Sequence, residues 1–69
     1  MHKVIQLIPT EKEKRIIDYL SKGMTHKEIG TEICLAKKTV DGIILKMLKK
    51  YGVNNAIQLV ATAVRNDWI

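Results

Sequence analysis

The sequence predicts an all-α domain of four helices, the second and third forming a helix-turn-helix. Three observations predict it. Apolar residues recur with helical spacing in four separate stretches of the 69 residues. Two of those stretches are preceded by the same capping pattern, Thr10-Glu11-Lys12-Glu13 and Thr25-His26-Lys27-Glu28. A small residue, Gly30, stands directly after the core position Ile29 and shortly before the next apolar run, where two steeply crossing helices need their backbones to come close.

The elements follow in order. Met1 to Ile8 carries no helical start signal and is expected to be extended, and Pro9 biases Ile8 away from helix. Residues 1–9 are therefore a lead-in or linker, and residues 10–69 the domain. The first helix should run from about Glu11 to Ser21, with Ile16, Ile17 and Leu20 inward, Tyr19 at the edge, and Lys12, Lys14, Arg15 and Asp18 in water. Gly23 is placed to end it in a left-handed turn. The second helix should span about His26 to Ile33. Cys34-Leu35 forms the turn, with Leu35 inward and Cys34 half-buried. The third helix should begin near Lys37 and continue to about Tyr51, burying Val40, Ile43, Ile44, Met47 and Leu48, with Gly52 as its stop. Asn54 or Asn55 caps a fourth helix holding Ile57, Leu59, Val60, Ala61, Ala63 and Val64, which should fray near Asn66 and Trp68. That helix is apolar around more than one face, which fits a second surface offered to a partner. No internal repeat or low-complexity segment interrupts the chain.

Composition narrows the function. A single cysteine excludes a disulfide within the chain and any all-cysteine metal site, and points to a reducing, cytoplasmic setting. Val4 to Ile8 is too short for a signal-peptide core, and no apolar run approaches a membrane span. Two isolated histidines and one cysteine without clustered acids predict no metal site and no cofactor. His26, following a cap, is expected to be exposed and not to act as a ligand. No nucleophile–base set, glycine-rich phosphate loop or carboxylate pair is visible, so an enzyme is not expected.

The net charge is +5 and the isoelectric point about 9.6, a balance suited to phosphate backbones. Between residues 24 and 51, six lysines face three carboxylates, whereas residues 52–69 balance Arg65 against Asp67. The excess positive charge therefore gathers around the helix-turn-helix and the first third of the chain. Lys37, Lys38 and Thr39 open the third helix, where backbone N–H groups and two ammonium groups make a phosphate site. Asp41, Gly42 and Leu45 should face outward one turn apart. They offer a carboxylate that accepts from a cytosine amino group, a close backbone approach, and an apolar contact for a thymine methyl. Lys46 and Lys49 extend the basic face, and Thr25 and Lys27 contribute from the start of the second helix. The expectation is double-stranded DNA in contact with Thr25, Lys27, Lys37, Lys38, Thr39, Asp41, Gly42, Leu45, Lys46 and Lys49.

These residues stand in a pattern that resembles the DNA-binding domain of LuxR-type (GerE-like) regulators, as found at the C-terminus of response regulators. The matching pieces are Thr10-x-Lys12-Glu13, Leu20-x-x-Gly23-x-Thr25-x-Lys27-Glu28-Ile29-Gly30, Leu35-Ala36-x-x-Thr39-Val40 and Leu48-x-Lys50-x-Gly52-Val53. Thr39-Val40-Asp41-Gly42 and the chain end from Ala63 to Ile69 are similar to a subgroup common in Bacteroidetes. The resemblance implies the third helix in the major groove and a homodimer formed through the fourth, around Ile57, Val60, Ala61 and Val64. It also implies control of transcription by a separate upstream receiver or sensor domain. The chain departs from the family's pattern at Ala36, where a capping serine is usual, and its absence should cost about 1 kcal/mol of helix stability. It departs again at Asp41, Ile43 and Leu45, where the family often carries Lys or Arg, His, and a polar or basic residue respectively. The rival reading is a protein-interaction module on the same fold that has lost base reading. Ile44 and Leu45 exposed in one patch with the fourth helix would favour that rival.

Overall fold

The computed structural model of the chain describes residues 8–69. They form α1 (Glu11–Ser21), α2 (His26–Ile33), α3 (Lys37–Tyr51) and α4 (Ala56–Arg65), with no strand among the described residues. Apart from Ile8 itself, the extended lead-in expected up to Ile8 lies outside them. Pro9 is buried and Ile8 exposed.

Local chemistry starts each helix. Thr10 Oγ1 accepts from the N–H of Glu13 at 3.1 Å, and Glu13 Oε1 accepts from the N–H of Thr10 at 2.9 Å. Thr25 and Glu28 repeat the exchange at 3.1 and 2.8 Å. The two reciprocal pairs satisfy N–H groups that the first helical turn leaves without partners. Of the two candidate asparagines, Asn55 caps α4, its Oδ1 accepting from Gln58 N–H at 2.9 Å. Ala36 at the start of α3 makes no side-chain cap bond.

All four helices end by one device. A residue with positive φ follows each helix: Gly23, Cys34, Gly52 and Asp67. The next N–H then turns back to a carbonyl five residues earlier. Met24 donates to Tyr19 at 3.2 Å, Leu35 to Gly30 at 2.8 Å, Val53 to Leu48 at 3.0 Å and Trp68 to Ala63 at 2.8 Å. Each of these donors carries an apolar side chain packed against the core, as this left-handed termination favours. Two expectations change as a result. Cys34 is exposed, not half-buried, because a left-handed residue at φ 61° closes the turn at its position while Leu35 packs inward. The end of α4 is closed, not frayed, and the Trp68 ring lies against Tyr51 with centroids 4.9 Å apart.

The core consists of Ile16 and Ile17 from α1, Ile29 from α2, Val40, Ile44 and Met47 from α3, and Leu59 and Ala63 from α4. The spacing of three and four residues within α3 and α4 places these side chains on one face of each helix. α2 packs against α3, and α1 and α3 both pack against α4. Gly30 sits at the tightest point of the helix-turn-helix. A Cβ built there would come within 2.4 Å of the Leu35 carbonyl oxygen and 3.5 Å of Val40 Cγ2.

One polar cluster ties α1 to α3. Glu13 Oε1, already capping α1, also accepts from Tyr51 Oη at 2.9 Å and Lys50 Nζ at 3.4 Å. Burial pushes the Glu13 carboxyl up, but the bonds from Thr10, Tyr51 and Lys50 outweigh it and hold the group below its ordinary value of 4.5. A carboxyl whose pKa is lowered on folding contributes stability in full above that ordinary value. The contribution is lost as pH falls through the lower, folded-state value. Glu13→Gln keeps the cap but removes the charge. It is expected to cost about 1 kcal/mol near neutral pH and to flatten the acid limb of the stability profile. Urea unfolding midpoints between about pH 7 and about pH 3 measure both effects. An acid limb as steep as that of the unaltered chain would show that Glu13 does not carry the transition.

Candidate nucleic-acid interface

The outward face of α3 follows from what its inward face buries. With Val40, Ile44 and Met47 in the core and Ile43 and Leu48 packed against it, the helical period leaves Lys38, Gly42, Leu45 and Lys49 in one stripe along the opposite side. All four are exposed, and Leu45 keeps 53% of its surface in water whereas its neighbour Ile44 keeps 3%. Thr39 and Lys46, both exposed, flank the stripe on one side, and Lys37 and Asp41 flank it on the other. Gly42 lies at mid-stripe, and a Cβ built on it would meet nothing within 4 Å. Internal packing therefore does not require a glycine here. A glycine inside a helix costs about 1 kcal/mol relative to alanine, and the open space leaves a surface on which a ligand can approach the backbone.

The expected site residues divide into three groups. Lys27, Lys38, Lys46 and Lys49 are exposed and take part in no ion pair among the described residues. Gly42 and Leu45 are exposed between Lys38 and Lys49, and Thr39 beside them is exposed at the start of the helix. The remaining residues are already engaged. The Thr25 hydroxyl holds the Glu28 N–H. Lys37 Nζ lies 3.0 Å from Asp41 Oδ2, one turn along the same helix. The other Asp41 oxygen, Oδ1, lies 2.6 Å from His26 Nδ1, so both oxygens of this carboxylate face nitrogen partners.

His26 therefore departs from its expected place. It is half-buried, not exposed, and bonded to Asp41 across the helix-turn-helix. As the first residue of α2 it reaches Asp41, one turn into α3, because α2 and α3 pack against each other. The bond from His26, and after it the bond from Lys37, holds the Asp41 carboxyl below the ordinary carboxylate range. The Lys37–Asp41 half of this cluster is legible in the four-residue spacing. The His26 half joins residues fifteen apart and leaves no local signal.

A second surface lies on α4. Ile57 and Val64 are 82% and 57% exposed, Ala61 is exposed between them, and Val60 is half-buried alongside. Leu59 and Ala63, on the inward side of the same helix, are fully buried. Val60 and Ile57 also line a shallow cavity of about 220 Å³ with Leu20, Ser21 and Ala56. No group of three or more His, Cys, Asp or Glu side chains is placed to hold a metal ion among the described residues. No helix among them is long and apolar enough to cross a membrane.

A family model described as bacterial regulatory proteins of the luxR family matches residues 9–63. The chain is 38% identical over 56 residues to the uncharacterized response regulatory protein YgeK of Escherichia coli K12, covering 81% of this chain and 38% of that protein. It is 38% identical over 50 residues to the transcriptional regulatory protein UhpA of Salmonella typhimurium, covering 72% of this chain and 26% of that protein. It is 33% identical over 54 residues to the DNA-binding transcriptional activator DevR/DosR of Mycobacterium tuberculosis, covering 78% and 25%. The chain thus spans about a quarter to two-fifths of the length of the curated relatives it matches. No solved structure matches it with comparable significance.

Proposed function

Since the chain belongs to the luxR family of bacterial regulatory proteins, we propose that it binds double-stranded DNA, sequence-specifically, as the DNA-binding module of a transcriptional regulator. α3 enters the major groove with Gly42 and Leu45 toward base edges. Lys38, Thr39, Lys46 and Lys49 meet phosphates around them, and Lys27 reaches the backbone from the start of α2. The observation that carries this reading is the α3 stripe, an apolar side chain and an open glycine bracketed by exposed lysines, with Ile44 inside the core. A lone apolar residue among lysines suits a thymine methyl beside a phosphate backbone. The rival protein-docking surface needed Ile44 outside together with Leu45.

The α4 face of Ile57, Val60, Ala61 and Val64 is the contact through which two copies pair on two half-sites. Its support is the exposure of three apolar side chains at helical spacing. Control by an upstream receiver or sensor domain, in the cytoplasm, belongs to the same reading. It fits a relative named as a response regulatory protein, of which this chain spans 38%.

Selection of duplexes from a random pool at two salt concentrations tests the proposal. Discrimination among sequences is expected at both. The logarithm of affinity should fall linearly with the logarithm of salt, by about 0.9 per phosphate contacted. Absence of binding at low salt, or an affinity indifferent to salt, sinks it.

A further inference from the structure

We propose that His26 is a positioning residue for base recognition: by bonding Asp41 across the helix-turn-helix, it withdraws that carboxylate from DNA and leaves Gly42 and Leu45 as the readers. The inference rests on the DNA-binding reading and goes beyond it, since it assigns a role to a residue that contacts no base.

The geometry carries it. A carboxylate at the edge of a groove-reading helix either accepts a hydrogen bond from a cytosine amino group or repels the phosphates around it. Each Asp41 oxygen already has a nitrogen partner: Oδ1 faces His26 Nδ1 at 2.6 Å and Oδ2 faces Lys37 Nζ at 3.0 Å. The two partners are not equivalent. Lys37 is on α3 itself, with 60% of its side chain exposed, and its long flexible stem can follow the carboxylate in any direction. His26 is fixed to α2, with 35% of its side chain exposed, so it holds Asp41 toward α2 and away from the stripe. The bond does not require a charged imidazole, because a neutral ring carrying its proton on Nδ1 is also a donor there. Lys37 spends its charge on the same carboxylate, which moves phosphate binding to Lys38, Lys46 and Lys49.

The test is a double-substitution cycle on His26→Ala and Asp41→Ala, read as affinity for a duplex selected by the unaltered chain and as base preference in the random pool. His26→Ala should weaken binding roughly tenfold, because the released carboxylate swings toward the phosphates. Asp41→Ala should select the same sequence as the unaltered chain and bind it more tightly, since a negative charge is gone and Lys37 is released. The double substitution should recover the affinity lost by His26→Ala. A purely structural role for His26 predicts no such recovery, and thermal unfolding of each variant keeps loss of fold separate from loss of binding. The inference is overturned if the double variant is as weak as His26→Ala, or if His26→Ala binds as the unaltered chain does. It is equally overturned if Asp41→Ala changes the preferred base at one position, which would make Asp41 a reader. Failure of the unaltered chain to bind any duplex would instead remove the DNA-binding reading, and this inference with it.

Discussion

Gly30→Ala is expected to destabilise the domain by about 3 kcal/mol, the largest stability loss among the single substitutions considered. The new Cβ would lie 2.4 Å from a backbone carbonyl oxygen, that of Leu35, and a carbonyl in a tight turn cannot move aside as the tip of a side chain can. Relief requires shifting the turn, and with it the Leu35 N–H bond to the Gly30 carbonyl and the contact with Val40. At roughly 0.05–0.15 kcal/mol per residue a domain of this size is stable by about 3.5–10 kcal/mol in all, so such a loss removes from a third to most of its stability. Urea denaturation followed by circular dichroism measures it. A loss below about 1 kcal/mol would mean that the turn yields and the crossing is less constrained than its geometry implies. The same substitution at Gly42 separates the two glycines. With nothing within 4 Å of the added Cβ, Gly42→Ala should gain about 1 kcal/mol of stability.

Replacing Lys38, Lys46 and Lys49 together by alanine is expected to have the largest effect on binding. It should lower affinity for all duplexes by similar factors and reduce the log–log salt slope by about 2.7, with little change in the preferred sequence. The three ammonium groups are exposed and unpaired among the described residues, so each is free to displace a counterion from a phosphate. Lys37→Ala should do much less than Lys38→Ala, although the two are neighbours in sequence, because the Lys37 charge already lies 3.0 Å from Asp41. Affinity measured across a salt series for each variant decides the matter. Equal slopes for the triple variant and the unaltered chain would place the phosphate contacts elsewhere.

The ends of the helices show what is legible in such a chain. Thr10 with Glu13 and Thr25 with Glu28 could be paired from the sequence because a capping box closes over three residues and needs nothing from the rest of the fold. Gly23 and Gly52 could be assigned as stops because glycine enters the left-handed region without strain. Cys34 takes the same conformation at a cost of order 1–2 kcal/mol, and Asp67 at a smaller one because its short polar side chain tolerates the left-handed region. Burial of Leu35 and Trp68, the residues that follow them, offsets that cost. That balance depends on the packed core, so the closed end of α4 and the exposure of Cys34 could not be anticipated locally. The Glu13 bonds to Tyr51 and Lys50 were hidden for the same reason, since they cross from α1 to α3.

The sequence by itself determined the four helices, the helix-turn-helix with Gly30 at its crossing, and the α3 side that carries lysines, because caps and 3.6-residue periodicity act over a few neighbouring positions. Tertiary structure alone decided what the polar groups on that side are free to do. Asp41 is outward by periodicity, yet its carboxylate is bound by a histidine fifteen residues earlier. That bond exists only because α2 packs on α3 with its first residue beside Asp41, one turn into that helix, and no local pattern encodes where two packed helices meet.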